Sequence, residues 1–344
     1  MSKKQEEEEP HHIVAIEAIH CKIPSFTLQT PHTKAIYNWT YPSELESRVK
    51  DATIIITTTI KLNAEILSAS KTPKLRLIVI LASGTDCVDK DAARARGIPI
   101  CNCPSTNIDS VSEHAIGLYF AVRRRLVDMT NSVRNVPDSL DCDTEWKVSG
   151  SLKNKLKTSD GGAPLLCSQE TMGIIGYGNL GRRIKNLAGG LGMNVVVAER
   201  RGVKEGEVRE GRVGFEDVLK RSTVLVLCLP RTPETEKLIS KEEFRVMLPQ
   251  TVLINVGRGG IVDEGALVEA LREGRIWGAG LDVYDHEPVG RGDSPLLGKD
   301  ALGLNCVLSP HLAWFAEKTL ENLQIGVKNT VEQWCLGNTI NRVA

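Results

Sequence analysis

The amino-acid sequence predicts an α/β protein whose parallel sheets are covered on both faces. Three observations carry this. Short β-branched runs alternate with longer helical patterns. One such run leads into a glycine-rich turn that opens a helix. The 344 residues also exceed what one core needs, since roughly 100–200 residues per domain is usual.

The predicted strands are TIIITTT (53–59), LRLIVIL (75–81), 172–175, NVVVA (194–198), TVLVLCL (223–229), TVLINV (251–256) and 306–308. Near-continuous apolar strands separated by helices read as parallel sheets buried on both sides. Predicted helices cover 110–125, 179–191, 215–220, 264–273 and 318–336. The last is long and amphipathic, with Leu320, Leu323, Ile325, Val327, Val331 and Trp334 available to pack. Residues 135–162, rich in Asp, Ser, Lys and Gly, read as a surface excursion into a second domain. No internal repeat is present.

Composition narrows the function. There are 43 basic and 43 acidic side chains and no net charge. That argues against nucleic acid or an anionic membrane as the main partner. No apolar run approaches the ~18–20 residues that span a bilayer. The opening MSKKQEEEEPHH lacks the apolar core of a signal peptide and is expected to be a disordered tail. The nine cysteines are scattered in apolar stretches, as reduced thiols in a cytoplasmic protein are. Cys101 and Cys103 have no second Cys/His pair at zinc spacing, so they read as a loop or strand end, and no metal site is expected.

Gly176, Gly178 and Gly181 form G-x-G-x-x-G after a strand and before a helix. The first glycine allows the tight turn, the second lets the backbone approach a pyrophosphate, and the third lets helix and strand pack closely. Tyr177, Asn179 and Leu180 complete the turn, and the helix N-terminus presents N–H groups to the phosphates. The next strand ends at Glu199, where a carboxylate can accept hydrogen bonds from ribose hydroxyls, which favours NAD. Arg200 and Arg201 follow and can pair with the 2′-phosphate of NADP, so NADP use is also allowed. A turn without ligand, or another nucleotide such as S-adenosylmethionine, are the alternatives.

Three later segments place polar residues at the ends of apolar strands, where ligands collect in doubly wound sheets. Arg258 lies between glycines and can clamp a carboxylate and polarise a carbonyl. Glu287 lies in LDVYDHEP and His311 in SPHLAW. A carboxylate beside an imidazole fixes its tautomer and stabilises its protonated form, so the ring can donate a proton near neutral pH. Reducing a 2-oxo acid needs one hydride and one proton. Each residue alone also reads as a surface or capping residue; the three together read as a catalytic set. The other histidines are weaker candidates: His11, His12, His20 and His32 lie in the tail or early loops, His114 on a helix, and His286 beside Glu287 without a motif.

The motifs GIIGYGNLG, LPRTPET, INVGRGGIVDE, AGLDVYDHEP and SPHLAW, in that order, resemble the D-isomer-specific 2-hydroxyacid dehydrogenases, and among them the glycerate dehydrogenase (hydroxypyruvate reductase) type. The resemblance runs from about Leu75 to the C-terminus and implies two doubly wound domains. A flavodoxin-like substrate domain would be built from residues 1–112 and 312–344. An inserted Rossmann NAD(P)-binding domain would span 113–311, and the active site would lie in the cleft. Arg258, Glu287 and His311 would be catalytic, with His311 also near the cofactor. Asp282 would contact the nicotinamide amide. Leu229, Pro230, Thr232 and Glu234 would line the adenine side, and Val256 and Gly257 would border the cofactor. Ser83 and Gly84 would offer backbone N–H groups to the substrate carboxylate, and Trp314 would wall the pocket or pack in the core. Ser112 replaces an alanine of the family's V-A-E-H, and CSQET (167–171) replaces its E-L-x-G-K-T. The implied protein reduces a small 2-oxo acid and forms a homodimer through the cofactor domain. Rivals are a phosphite-oxidising relative and an NAD-sensing regulator. The formate type carries glutamine where this chain has Glu287.

Overall fold

The computed structural model describes residues 9–134, 143–158 and 161–344. The chain divides into two compact units. Unit 1 is Met1–Asn107 with Phe315–Ala344, and unit 2 is Ile108–Trp314.

Unit 1 is a five-stranded parallel sheet. Its strands are β1 (His11–Ala15), β2 (His32–Ile36), β3 (Ile54–Thr57), β4 (Leu77–Ile80) and β5 (Ile100–Asn102), in the order β2-β1-β3-β4-β5. β3 and β4 are wholly buried, as their unbroken apolar runs require. Helices α1 (Pro42–Val49) and α2 (Lys90–Ala95) belong to this unit. So does the C-terminal helix (Glu317–Cys335), which buries Leu323, Val327 and Val331. The chain end follows β5, the Val343 N–H donating to the Ile100 carbonyl at 2.8 Å.

The histidine-rich start departs from the expected tail. His11 and His12 open β1, and His32 opens β2. His11 is buried, its ring tilted against that of Trp334 at 5.5 Å, and its backbone N–H donates to Pro31 O at 2.9 Å. The strand is held by neighbours on both sides, a tertiary cause that local composition does not carry. The rest of the expected tail, residues 1–8, lies outside the described residues, as do 135–142 and 159–160 of the excursion.

Unit 2 is a six-stranded parallel sheet. Its strands are β6 (Thr171–Ile175), β7 (Asn194–Val197), β8 (Val224–Leu227), β9 (Val252–Asn255), β10 (Gly278–Leu281) and β11 (Cys306–Leu308), in the order β11-β10-β9-β8-β6-β7. Its helices are α3 (Ile108–Arg123), α4 (Leu126–Arg134), α5 (Glu145–Ser149), α6 (Asn179–Gly190), α7 (Phe215–Arg221), α8 (Lys241–Val246) and α9 (Glu264–Arg272). Buried side chains fill two clusters in this unit, one containing Leu225, Leu253 and Leu267, the other Leu118, Ile174 and Ile254.

Below the sheet, Arg123 of α3 is fully buried. It is paired with Glu170 at 2.6 Å and donates to the Gln250 and Thr223 carbonyls at 2.8 and 3.0 Å. The two charges are matched by each other, and Glu170 also accepts from the Tyr119 hydroxyl at 3.1 Å, the kind of pairing under which a buried charge is tolerated. The eight cysteines among the described residues are unbridged. Among the described residues no helix is long and apolar enough to cross a membrane.

Candidate active site

Because all six strands of unit 2 are parallel, the loops after them share one edge. Read along the sheet, that edge carries His311 (after β11), Asp282 and Glu287 (after β10), and Arg258 (after β9). Then come residues 229–234 (after β8), the glycine turn (after β6) and Glu199 (after β7). Neighbouring strands lie about 4.8 Å apart, so residues distant in sequence become adjacent. The chain reverses direction across the sheet between β6 and β8, which is where open α/β sheets bind ligands.

His311 Nδ1 lies 2.6 Å from Glu287 Oε2. A carboxylate on Nδ1 fixes the proton there and leaves Nε2 to face outward. Glu287 Oε1 accepts from the Tyr284 N–H at 2.8 Å. Burial pushes the Glu287 carboxyl upward, but the His311 hydrogen bond, the Tyr284 N–H and the Arg258 charge together hold it below the usual carboxylate range. Arg258 is half-buried and donates to its neighbour Gly257 O at 2.8 Å. Its loop is shaped by Asn255, whose Nδ2 donates to Arg258 O at 2.9 Å and whose Oδ1 accepts from Gly257 N at 3.1 Å. Gly259 has no room for a side chain: a Cβ would lie 1.6 Å from Tyr284 O. That backbone contact sets the arginine loop against the glutamate loop.

Asp282 is buried and turned toward the histidine loop. It accepts from Ser309 Oγ at 2.6 Å, Leu312 N at 3.0 Å and Ala313 N at 2.9 Å. His114 Nε2 meets Ser309 Oγ at 2.9 Å, and the Tyr284 hydroxyl donates to Ser309 O at 3.0 Å. Trp314 closes the same loop, its Nε1 donating to His311 O at 2.9 Å. It is half-buried and packs on the core cluster of α3. These ties hold His311 at φ 53, the left-handed region that non-glycine residues seldom occupy.

The glycine turn fits a dinucleotide. Gly176 has φ 95, and a Cβ there would lie 2.7 Å from Cys228 O; a Cβ on Gly181 would lie 2.2 Å from Gly176 O. Both glycines are therefore required by packing. A Cβ on Gly178 would meet nothing within 4 Å, so the protein itself does not require glycine there. The open space over this backbone is where the pyrophosphate of the motif would lie. Leu229 and Pro230 follow β8, and Thr232 N–H donates to Thr235 Oγ1 at 2.7 Å while Glu234 is exposed. Glu199 is buried and ion-paired with Arg209. Arg200 is exposed, and Arg201 is ion-paired with Glu243 at 2.7 Å.

Residues 117–313 match the family described as D-isomer specific 2-hydroxyacid dehydrogenase, NAD binding domain. A glycerate dehydrogenase of Methylorubrum extorquens is 35% identical over 315 residues, covering 91% of this chain and 92% of its own. The chain belongs to the D-isomer-specific 2-hydroxyacid dehydrogenases. Two solved structures share its fold. A D-lactate dehydrogenase of Aquifex aeolicus, complexed with NAD and lactic acid, is 27% identical with a TM-score of 0.72, covering 90% of this chain and 92% of its own. An NADPH-dependent glyoxylate/hydroxypyruvate reductase of Sinorhizobium meliloti, in complex with NADP and malonate, is 25% identical with a TM-score of 0.73 and covers 97% of each chain.

For this 2-hydroxyacid dehydrogenase, sequence reasoning missed the residues that hold the site rather than those that form it. Ser309, Tyr284 and Asn255 sit within or beside the motifs, but nothing in a linear pattern says which way they point. In the sequence His114 reads only as a helix residue, yet α3 brings it to Ser309. Arg209 carried no signal, because the loop that returns it to Glu199 has no regular period.

In unit 1, Ser83 and Gly84 follow β4. Ser83 Oγ donates to Cys103 O at 3.1 Å, and Asn102 Nδ2 donates to Ser83 O at 2.8 Å. Among the described residues neither backbone N–H of this turn has an acceptor. The same unit holds a buried carboxylate that no sequence motif marks. The buried Glu17 carboxylate accepts from Thr57 Oγ1 at 2.9 Å, from the Ile60 N–H at 2.8 Å and from the Thr58 and Thr59 N–H groups. Burial works against its ionisation, yet His20 and these donors bring its carboxyl down to about 2.

Proposed function

We propose that this enzyme reduces a small 2-oxo acid of the glyoxylate or hydroxypyruvate kind to the D-2-hydroxy acid, and catalyses the reverse reaction. The observation that carries the reading is the 2.6 Å contact of His311 Nδ1 with Glu287. It turns Nε2 into a proton donor beside Arg258. The names of the relatives, a glycerate dehydrogenase and a glyoxylate/hydroxypyruvate reductase, support the substrate class.

NAD(P)H, held through its pyrophosphate at the glycine turn, would supply the hydride. Arg258 holds the substrate carboxylate through its planar fork and draws charge from the carbonyl. His311, carrying a proton on both ring nitrogens, gives the Nε2 proton to the carbonyl oxygen and becomes neutral, with Nδ1–H still bonded to Glu287. Glu287 thus orients the ring before and after transfer without itself changing charge. Asp282, Ser309 and Trp314 fix the loop that carries His311, so the ring loses little freedom on binding substrate. The Ser83–Gly84 turn is proposed to receive a substrate carboxylate, supported by its two N–H groups without acceptors.

NAD(P) use is supported by the fit of the turn to a dinucleotide and by relatives complexed with NAD and with NADP. A homodimer through unit 2 is proposed on the apolar side chains that α4 and α5 leave exposed, among them Leu126, Val127, Val133, Trp146 and Val148. A cytoplasmic location is proposed on the unbridged cysteines. The test of function is oxidation of NADH and NADPH by the purified protein with glyoxylate, hydroxypyruvate, pyruvate and one bulky 2-oxo acid. Turnover is expected with glyoxylate and hydroxypyruvate. Silence with all four, while either cofactor binds, contradicts the proposal.

A further inference from the structure

We infer that Arg209 sets the cofactor preference of this enzyme, and sets it toward NADPH. The inference rests on reading unit 2 as the dinucleotide site.

The loop 200–212 leaves the sheet at Glu199 and returns beside it: the Glu199 N–H donates to Val213 O at 2.8 Å, and the Val213 N–H donates to Val197 O at 2.9 Å. This closure brings Arg209 back onto the carboxylate that ends β7. Glu199 Oε1 accepts from the Arg200 N–H at 2.8 Å and from one guanidinium nitrogen of Arg209. Oε2 accepts from Arg209 Nε at 2.7 Å and from the Arg209 backbone N–H at 3.3 Å. A carboxylate has about four lone-pair sites, so those of Glu199 are all engaged. A ribose diol finds an acceptor there only if the arginine fork lets go, and charge-assisted bidentate pairs are the strong ones.

A ribose 2′-phosphate meets the opposite situation. The Glu199 charge that would repel it is already neutralised, and the Arg209 side chain remains half-exposed with N–H groups to spare. It lines an open cleft with Glu199, Arg200, Val203 and Glu207. Arg200 is exposed and has no ion-pair partner among the described residues. Arg182, Lys185 and Arg212 each lie 5.7 Å from the ring of Tyr177, within the glycine turn. Arg200 and Arg209 in the cleft, with these cations about the turn, offer positive charge to a group of roughly −1.5 to −2 charge, against one further carboxylate in the cleft lining, Glu207. Arg201, the other arginine after Glu199, is held by Glu243.

The test is fluorescence titration of the full-length protein with NADPH, NADH and 2′,5′-ADP, read as dissociation constants. The wild type is expected to bind NADPH more tightly than NADH, and added salt to weaken NADPH more. Arg209→Gln is expected to weaken NADPH and 2′,5′-ADP by roughly ten- to a hundredfold and to leave NADH unchanged or tighter. Arg209→Lys, which keeps the charge but not the fork, is expected to lose NADPH affinity by a smaller factor. A wild type that binds NADH at least as tightly as NADPH overturns the inference, and so does an equal response of both cofactors to the Arg209 variants. Binding of neither cofactor by the folded wild type overturns the dinucleotide reading and this inference with it.

Discussion

His311 occupies a left-handed backbone conformation that costs about 1–3 kcal/mol, and Asp282, Ser309 and Trp314 hold it there. The imidazole depends equally on Glu287. In Glu287→Gln the acceptor at Nδ1 loses its charge, and turnover is expected to fall by roughly 10²–10⁴ while NADPH affinity stays near that of the wild type. Steady-state kinetics and a binding titration on one preparation check this. In unit 1, Glu17 makes a prediction about stability. Its carboxyl lies at about 2 in the folded chain against a usual value of 4.5. The stabilisation from this depressed value is present above about pH 4.5 and is lost as pH falls toward 2. Glu17→Gln should cost about 1–3 kcal/mol near neutral pH, and its loss of stability on acidification should be shallower than that of the wild type. Urea unfolding at several pH values measures both. Equal acid sensitivity of the two proteins would show that Glu17 does not carry the effect. Arg258, Glu287 and His311 stood out in the sequence as candidates because acid–base chemistry restricts residue type and the motifs place them at strand ends. The holding residues were not, because many polar side chains could meet a loop backbone.

At the scale of elements, two glycines separate packing from binding. Gly259→Ala would press a methyl into Tyr284 O and drive the loops of β9 and β10 apart. A cost of about 1–3 kcal/mol or more is expected, together with loss of turnover. Gly178→Ala meets no protein atom. Its melting temperature should stay close to that of the wild type, whereas its affinity for NADPH should drop at least tenfold; thermal melts and titrations distinguish the pair. Both glycines belong to motifs, but only the structure shows that one faces backbone and the other open space. The long apolar strands were legible from periodicity and length. β10 was harder, since its sequence Gly-Ala-Gly-Leu has poor strand propensity. A Cβ on Gly280 would lie 3.0 Å from Leu118 Cβ, so the small residues are there for α3 to pack on the strand. β1 and β2 were missed for the reverse reason: their histidines and lysine read as surface, and neighbouring strands decide their state.

For the molecule as a whole, strand–helix alternation announced parallel sheets, and strand order put the candidate residues on one edge of unit 2. Order is a topological fact, and the sequence disclosed it only through resemblance to a family. If that edge is the cofactor site, NADPH at a hundred times its dissociation constant should stabilise unit 2 by about 2.7 kcal/mol. Slowed hydrogen exchange should then concentrate in the loops after β6, β7, β8 and β9. Protection confined to unit 1 would contradict the assignment. His311 is proposed to deliver the proton to a 2-oxo acid. The most direct measurement is turnover of glyoxylate and hydroxypyruvate by His311→Ala beside the wild type, with NADPH affinity determined for both. A fall in kcat of roughly 10²–10⁴ at nearly unchanged cofactor affinity is predicted. Undiminished turnover in the variant would contradict the account.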